Sequence, residues 1–511
     1  MSTQSRCKEL MIQALHSTVL CRIIIYLGCF LRTYAFISNR SLSGDEARFA
    51  NELNFGGLSF LSLIQKVHYP IGFVFVEKSS IQTFINNEYF LRLWPFVCGI
   101  VSLFLFYTVA KKYLIKWTVP FAVFLFSLSP QLINYSIEAK PYMSDVVVTL
   151  LLLIMCAHIQ EKEMTVSRGI FYSAIGACAI YFSYPAVFVL AGIGCAFFVI
   201  SFYKKQWRKM AQLVPIGLMW IISFISTYVV SLRFIEKLNY LVNYWDWHFV
   251  PLPFKTFADI KIFSDLLVSF FSDPLGIYFH GLGIALFLIG CIAMYVRRKR
   301  ILLIVLSPVP FVLIAYSLHK YPFSGRLLLF LVPLALLIIA NGFYFIVTLL
   351  SRNRFQIGII IGGLLILPSL ITTSQQVVNK YRAWEVREVM AVLDEHIREG
   401  DYICLYHWAN APFQYYIKRY NAIQKQEKNI HCIMPSYDDW NQYWYRLSLL
   451  RGKKRVWMVF CGVYSQSGVD EEMLMLYYLD ILGKRVGSMK TIGASLYLYD
   501  LSLNKSDEEA A

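Results

Sequence analysis

Long apolar runs limit the fold of this chain more than any other feature of its sequence. Runs of about 20 apolar residues recur as far as residue 373, and that length lets a helix cross the hydrocarbon core of a bilayer. The runs are continuous rather than alternating, so they predict transmembrane helices and not the strands of a membrane barrel. About eleven spans are predicted: 17–37, 90–110, 118–135, 142–160, 168–184, 186–203, 211–232, 275–296, 301–318, 327–350 and 355–373.

The charge of the chain is concentrated between these runs. The formal net charge is +16, although only 16% of the residues are charged. Lysine and arginine occur mostly in alternate connections, as the positive-inside rule expects of cytoplasmic loops, and this explains the charge better than nucleic-acid binding does. No nucleic-acid partner is therefore predicted. The basic connections contain Lys111, Lys112, Lys116, Lys162, Arg168, Lys204, Lys205, Arg208, Lys209, Arg297, Arg298, Lys299, Arg300, Arg352 and Arg354.

The remaining connections belong to the opposite side of the membrane. They comprise 38–89, 135–141, 233–274 and 319–326, together with everything after about residue 374. The charge rule places them outside the cytoplasm, so we expect an integral protein of the cell membrane with these segments on its outer face.

The composition changes after Thr373, where short apolar runs alternate with amphipathic helical patterns. This alternation predicts a small α/β domain with a largely parallel sheet. It contains no GxGxxG or P-loop motif, so nucleotide binding has no support. Strands are predicted at 401–406, 430–434, 455–461 and 494–500, and helices at 380–398, 411–420, 437–450 and 470–484.

These patterns together predict a polytopic α-helical membrane protein with a small extracytoplasmic α/β domain at its C-terminal end. The predicted membrane domain is 1–373 and includes a first outer loop at 38–89. The predicted soluble domain is 374–511.

Acidic and basic side chains occur in several outward connections. Charged groups at this depth are costly unless they face a polar cavity, so they suggest a functional site. Any one of them alone is more often a solvated loop charge or a snorkelling anchor. The prediction depends on three separate connections supplying such groups to one face. The candidates are Asp45, Glu46, His68, Arg92, Glu138, Lys140, Tyr142, His319, Lys320, Tyr321 and Arg326.

A carboxylate among lysines, arginines and tyrosines suits the transfer of a group from a phosphate leaving group to a hydroxyl. The carboxylate accepts the proton of the hydroxyl, and the cations neutralise the departing phosphate. The sequence contains no HExxH, no GxSxG and no His/Cys cluster with zinc spacing, so no metal site and no cofactor are predicted. Two adjacent carboxylates are poor evidence for a cation cage, and a divalent metal ion is left open.

Five motifs in order along the membrane half resemble a known family. They are Asp45–Glu46, a "P-x-G-F…EK" stretch from Pro70 to Lys78, "E-Y-x-L-R-L" from Glu88, "Y-S-x-E-A-K-x-Y" from Tyr135 to Tyr142, and "Y-P-x-x-G-R" from Tyr321 to Arg326. The chain resembles the integral-membrane glycosyltransferases of the GT-C superfamily, in the bacterial branch related to protein O-mannosyltransferases and lipid A aminoarabinose transferases. The resemblance covers roughly residues 30–340.

The resemblance implies an inverting hexosyl- or pentosyltransferase that uses a polyprenyl-phosphate-linked sugar at the outer face of the membrane. Asp45 would be the base and Glu46 its acidic neighbour. Lys140, Arg326 and Lys320 would bind the donor phosphate. Relatives often have arginine where this chain has Lys140, and lysine lacks the bidentate fork. The implied lining residues are Glu138, Tyr142, His68, Arg92, His319 and Tyr321. The acceptor is a lipid, a polysaccharide or a protein, and the sequence does not distinguish them.

Two other functions are compatible with a membrane chain of this composition. A transporter or flippase of lipid-linked glycans would place ionisable groups near the middle of the bilayer and often shows inverted repeats. A non-catalytic scaffold or receptor would not need Asp45 together with the Lys140 turn. Here the charges occur at the predicted ends of spans, which favours the enzyme.

Overall fold

The chain divides into two compact units in the computed structural model. One, the membrane unit, consists of Met1–Ile37 and Ser59–Val378, and the other, the C-terminal unit, consists of Ser38–Leu58 and Asn379–Ala511. The structure describes residues 18–54, 59–83, 87–237, 245, 249–349, 354–433, 441–463, 465–466 and 468–502. The division differs from the one predicted from sequence, because residues 38–58 of the first outer loop belong with the C-terminal residues.

The described part of the membrane unit is helical. Its helices are α1 (Thr18–Ser38), α3 (Phe60–Val67), α4 (Ile71–Thr83), α5 (Glu88–Tyr113), α6 (Val119–Ser127), α7 (Pro130–Tyr135), α8 (Tyr142–Glu161), α9 (Val166–Phe182), α10 (Ala186–Tyr203), α11 (Trp207–Val230), α12 (Phe257–Ser272), α13 (His280–Leu306), α14 (Pro308–Ser317), α15 (Val332–Leu349) and α16 (Arg354–Val378). Short 3₁₀ helices occur at Lys116–Thr118, Leu232–Lys237 and Gly325–Leu331.

Among the described residues, 8 helical segments are long and apolar enough to cross a membrane. They are Thr18–Ser38, Glu88–Tyr113, Tyr142–Glu161, Ala186–Tyr203, Trp207–Ile235, His280–Leu306, Gly325–Leu349 and Gln356–Val378. The other three predicted spans correspond to shorter apolar helices at Lys116–Ser127, Val166–Phe182 and Pro308–Ser317. The protein is therefore an integral membrane protein, and the total of about eleven spans stays a prediction.

One predicted boundary agrees with the structure and one differs from it. The basic segment Arg297–Arg300 marks a break within α13, because the backbone at Arg298 is non-helical (φ −145°, ψ 43°) and two helices meet there at a kink. The predicted span 118–135 is interrupted between α6 and α7, because Ser129 caps a new helix and Pro130 occupies its first position.

Helix packing in the membrane unit uses small residues where backbones approach closely. A methyl group on Gly342 of α15 would lie 1.9 Å from the carbonyl oxygen of Leu286 in α13, and one on Gly290 would lie 2.1 Å from that of Ile338. Apolar burial drives association weakly inside a bilayer, so close backbone approach supplies much of the contact energy between such helices.

The basic connections predicted to be cytoplasmic meet at one end of the membrane unit. Lys112 Nζ pairs with Glu161 Oε1 at 3.0 Å, and Arg298 Nη1 donates to the Tyr113 carbonyl oxygen at 3.0 Å. Lys209 Nζ donates to the Ile159 carbonyl oxygen at 3.3 Å. The last carbonyl groups of a helix have no partner within the helix, so Arg298 and Lys209 also satisfy carbonyl groups at the C-terminal ends of α5 and α8.

The C-terminal unit contains an α/β fold. Its described elements are α2 (Gly44–Leu53), α17 (Val386–His396), β1 (Tyr402–Tyr406), α18 (His407–Tyr416), α19 (Asn421–Gln424), β2 (Ile430–Ile433), α20 (Asn441–Ser448), β3 (Val456–Cys461), β4 (Ser465–Gln466), β5 (Val469–Asp470), α21 (Glu471–Leu482), β6 (Lys484–Thr491) and β7 (Ala494–Asp500).

The main sheet has the strand order β2–β1–β3–β7–β6. β1 pairs in parallel with β2 and β3, whereas β7 is antiparallel to both β3 and β6. The sheet is therefore mixed, and the prediction of a largely parallel sheet is wrong. The difference arises at β6, which precedes β7 in the chain and pairs with it in antiparallel fashion. β6 was not predicted, because it is a mostly exposed edge strand whose polar sequence "KRVGSMKT" contains no apolar run.

Candidate functional site

Lys140 lies in the turn between α7 and α8, where the chain reverses at the end of the membrane unit opposite the basic connections. The turn is tightened by a hydrogen bond from the Lys140 backbone N–H to the Glu138 carbonyl oxygen at 2.7 Å. The Lys140 side chain is only 4% exposed, and its ammonium group donates a hydrogen bond to the Tyr69 hydroxyl. A buried lysine at this depth is costly unless polar groups receive it, and Tyr69 is such a group.

Arg326 approaches the same place from a later connection. It follows Gly325, whose φ of +42° lets the backbone turn into the 3₁₀ helix before α15. The Arg326 guanidinium carbon lies 5.7 Å from the ring centre of Tyr142, the first residue of α8. Arg326, Lys140, Glu138 and Tyr69 all interact electrostatically with the Tyr142 hydroxyl. The structure thus brings two cations from different connections to one tyrosine.

Asp273 is a further acid in this cluster, and the sequence analysis missed it. Its Oδ2 lies against Gly325, at 3.2 Å from where a methyl group on that residue would stand. Burial raises the pKa of Asp273, while the neighbouring Arg326 guanidinium and Tyr135 hydroxyl act in the opposite direction. The signal available in the sequence was an acid directly before a predicted span, followed by Pro274.

The other predicted lining residues of the connection 319–326 occupy different surroundings. Tyr321 donates its hydroxyl to the Leu327 carbonyl oxygen at 2.6 Å and meets Phe188 edge to face at 5.0 Å. Burial raises the pKa of Tyr321 well above its ordinary value, so the phenol stays protonated. His319 and Lys320 are exposed, and the His319 ring lies 4.9 Å from that of Phe249. Neither resembles the buried Lys140.

His68, Arg92 and Glu138 were also predicted to line the site. His68 ends α3 with a φ of +57°, and burial lowers its pKa to about 4, so its imidazole is neutral at neutral pH. Arg92 is buried within the first two turns of α5. Glu138 is half-buried and acts electrostatically on both Tyr135 and Tyr142. Of the three, Glu138 is part of the cluster around Tyr142.

The predicted acidic pair lies in the C-terminal unit, in the first turn of α2. Ser43 caps this helix, and Glu46 completes a capping box by accepting the Ser43 backbone N–H at 2.9 Å. Glu46 is 0% exposed and pairs with Arg40 Nη1 at 2.8 Å. Its contacts fix the helix start. Asp45 is only half-buried, so its carboxylate is more accessible than that of Glu46.

Within the part of the chain that the structure describes, no three His, Cys, Asp or Glu side chains form a group that could hold a metal ion.

Comparisons with known proteins agree with this architecture. Residues 68–230 match the family model of dolichyl-phosphate-mannose-protein mannosyltransferase. Apo ArnT from Cupriavidus metallidurans is structurally similar with a TM-score of 0.52 and 13% identity, over 96% of this chain and 99% of ArnT. The chain has the GT-C fold. The predicted helical membrane fold with a small C-terminal α/β domain, and the predicted resemblance to GT-C glycosyltransferases, are therefore confirmed.

Two further GT-C structures extend this likeness. ArnT from Cupriavidus metallidurans bound to undecaprenyl phosphate matches with a TM-score of 0.50 and 12% identity, over 94% of this chain and 98% of that one. The oligosaccharyltransferase of Archaeoglobus fulgidus matches with a TM-score of 0.50 and 12% identity, over 85% of this chain and 67% of that one. A comparison with curated proteins gave no significant match.

Proposed function

We propose that this GT-C protein is an inverting glycosyltransferase that moves a sugar from a polyprenyl-phosphate-linked donor to a hydroxyl acceptor at the outer face of the cell membrane. The observation that carries the proposal is the approach of Lys140 and Arg326 to Tyr142. Lys140 is buried and Arg326 is half-buried at the end of a helical bundle, and a donor phosphate anchored by its lipid would bring negative charge to these two cations at this depth.

The donor class is supported by the chemistry of the cluster and by one relative. Lys140 and Arg326 stabilise the negative charge that develops on the phosphate as the bond to the sugar breaks. Lys320, the third predicted phosphate contact, is exposed and makes a weaker candidate. The ArnT structure with undecaprenyl phosphate gives a precedent for a polyprenyl phosphate in this fold. The sugar is a hexose or a pentose, and the acceptor a lipid, a polysaccharide or a protein.

Asp45 is the proposed base. The acceptor oxygen forms its bond to the anomeric carbon while the bond from that carbon to the phosphate oxygen breaks on the opposite face. The acceptor proton passes to the Asp45 carboxylate, and polyprenyl phosphate leaves with the bonding electrons. Glu46 is committed to Arg40 and to the helix cap, so its proposed role is to hold the helix start rather than to exchange protons.

The transporter alternative is not favoured, because two buried ionisable groups of the long helices, Arg92 and Asp145, lie near helix ends. Arg92 is four residues, about 6 Å, beyond the start of α5 at Glu88. Asp145 is three residues, about 4.5 Å, beyond the start of α8 at Tyr142. Arg32, six residues or about 9 Å before the end of α1 at Ser38, and Glu77, midway along the short helix α4, are buried further from helix ends. A translocation pathway would be expected to place such groups near mid-bilayer.

The experiment is a transfer assay with purified protein in lipid nanodiscs, polyprenyl-phosphate-linked hexose and pentose donors, and lipid, glycan and peptide acceptors. We expect transfer with inversion from one of these donors. Lys140→Ala and Arg326→Ala should each raise the donor KM by about tenfold or more, since hydrogen bonds to charged groups contribute about 1.5–3 kcal/mol.

Lys255→Ala is the matched control, because Lys255 is exposed in the connection before α12. Its donor KM should equal that of the unaltered protein. Transfer that is equally efficient in the Lys140 and Arg326 variants would remove the phosphate role, and transport of the intact lipid-linked sugar without transfer would favour the alternative.

A further inference from the structure

The segment that carries the candidate base is built into the C-terminal unit. Residues 38–58 belong to that unit although about 320 residues of membrane unit separate them from the rest of it. One face of α2 is buried, through Ala47, Phe49 and Ala50. The α/β domain therefore does more than follow the membrane unit in sequence, because it packs around the helix that bears Asp45.

Arg387, in the first turns of α17, holds the chain just before α2. Its Nε donates to the Ser41 hydroxyl oxygen at 3.1 Å, and its Nη2 donates to the Asn39 carbonyl oxygen. The Ser41 hydroxyl in turn donates to Glu385 Oε2 at 3.1 Å. Ser41 is fully buried, so these bonds are shielded from competition with water.

Tyr416, at the end of α18, provides a second anchor. Its hydroxyl oxygen accepts a hydrogen bond from the Leu42 backbone N–H at 2.9 Å, and both residues are 0% exposed. At the other end of α2, Asn51 Nδ2 donates to the Ala411 carbonyl oxygen at 3.0 Å. The helix is thus fastened to α17 and α18 on both sides of Asp45.

We infer that Tyr416 and Arg387 are positioning residues that set the direction of the Asp45 carboxylate. They touch the backbone and hydroxyl of residues 39–42, three to six residues before Asp45, and fix how α2 begins. A shift of about 1 Å in a reacting group can lower the rate about 100-fold, so such anchors act on the chemical step. This inference rests on the proposed function, in which Asp45 is the base.

A role confined to general stability of the C-terminal unit would look different. Tyr499 of β7 is equally buried. Its hydroxyl donates to Asp480 of α21 at 2.7 Å and accepts from Arg485 Nε at 2.9 Å. Removing the Tyr499 hydroxyl should lower stability without affecting residues 39–53. The two tyrosines therefore form a matched pair for an experiment.

The experiment measures kcat, donor KM and melting temperature for Tyr416→Phe, Tyr499→Phe and Arg387→Ala in the full-length protein. Tyr416→Phe should lower kcat by about fivefold, as expected for loss of one buried hydrogen bond, with an unchanged donor KM. Arg387→Ala should lower kcat by more than about tenfold, and Arg387→Lys should recover part of it, because lysine can still donate to the Asn39 carbonyl oxygen. Tyr499→Phe should leave kcat and donor KM unaltered.

Amide hydrogen exchange of residues 39–46 should accelerate in Tyr416→Phe and not in Tyr499→Phe. The inference is overturned if Tyr416→Phe keeps the full kcat, if Tyr499→Phe loses as much, or if the loss appears only in donor KM. Asp45→Asn is measured in parallel. Full turnover of Asp45→Asn would overturn the proposed base itself, whereas an inactive Asp45→Asn with a fully active Tyr416→Phe would remove only the positioning role.

Discussion

The two units present their candidate functional groups in different ways. In the membrane unit, Lys140 and Arg326 lie in short turns at helix ends and contact tyrosine rings and hydroxyls. In the C-terminal unit, Asp45 lies on a capped helix whose start is held by hydrogen bonds from α17 and α18. The cations are placed by packing of long helices, and the acid is placed by a polar network.

This difference suggests a division of labour. Under the proposed function, groups in the membrane unit should govern binding of the donor, because a lipid-linked phosphate would reach the protein from the bilayer. Groups in the C-terminal unit should govern proton transfer from the acceptor. Substitutions in the first unit should therefore change donor KM, and substitutions in the second should change kcat.

The largest expected effect belongs to the acid. Asp45→Asn should lower kcat by about 10²- to 10⁴-fold, which is the usual contribution of a general base, while donor binding is retained. A transfer assay together with direct measurement of donor binding checks both parts. Asp265→Asn, an exposed carboxylate on α12, serves as the control and should be fully active. A large rise in donor KM with unaltered kcat in Asp45→Asn would contradict the division.

The next effect tests the membrane unit. Tyr69→Phe removes the hydroxyl that receives the Lys140 ammonium group, and should raise donor KM by about fivefold at constant kcat. Tyr181→Phe is the matched control, since its hydroxyl bonds to Ser226 at 3.2 Å elsewhere in the same unit. If Tyr69→Phe acted on kcat as Tyr416→Phe is expected to do, the two units would not differ in function.

A smaller effect concerns Asp273. Its carboxylate interacts electrostatically with Arg326, so we expect Asp273→Asn to displace Arg326 and raise donor KM by about threefold at neutral pH, the size typical of a partly exposed charge pair. Burial raises the pKa of Asp273, so the unaltered protein loses this negative charge at a higher pH than a free aspartate would as the pH falls. Donor KM measured from pH 8 down to pH 4.5 should therefore converge for the two proteins. A ratio of the two donor KM values that stays constant over that pH range would exclude this role of Asp273.

The smallest expected effect is on stability alone. Glu77 of α4 is fully buried, its carboxyl oxygens accept no hydrogen bond from the described residues, and burial raises its pKa well above the usual value. Its folded-state pKa exceeds the unfolded one, so stability is lost as the pH rises from the unfolded pKa through the folded pKa.

Glu77→Gln should therefore match the unaltered protein at pH 4, within about 1.5 kcal/mol for a near-isosteric change, and become the more stable of the two as the pH rises. Melting temperatures in detergent between pH 4 and pH 8 measure this. Glu163→Gln, on the short connection before α9, is the exposed control and should show no such trend. A steeper loss of stability in Glu77→Gln would mean that the Glu77 carboxyl is ionised in the folded protein.

The sequence predicted most of the membrane unit because a bilayer imposes strong local rules. A helix must contain enough consecutive apolar residues to cross the membrane, and lysine and arginine mark one side, so 8 of the predicted spans coincide with long apolar helices. The C-terminal strands β1, β3 and β7 were predicted for the same kind of reason, since each is a short buried run. The exposed β6 was missed because it has no such run.

The candidate site was only partly predictable. Lys140, Arg326, Glu138 and Tyr142 were named from sequence and do lie near one another, whereas Lys320 and His319 were named with them and are exposed. Asp273 and Tyr69 were missed, because each becomes significant only through a neighbour far away in the chain. Charge at the end of a span shows that a residue is costly to bury, but not which partner offsets the cost.

The sequence by itself thus determined that this chain is a helical membrane protein with a small C-terminal α/β domain and polar groups at one end of its spans, since hydrophobic length and charge asymmetry are properties of local segments. Only the tertiary structure decided that residues 38–58 join the C-terminal unit, and that Tyr416 and Arg387 hold the start of the Asp45 helix. Hydrogen bonds between residues more than 340 positions apart form only when two folded surfaces match in shape, and no local pattern encodes that match.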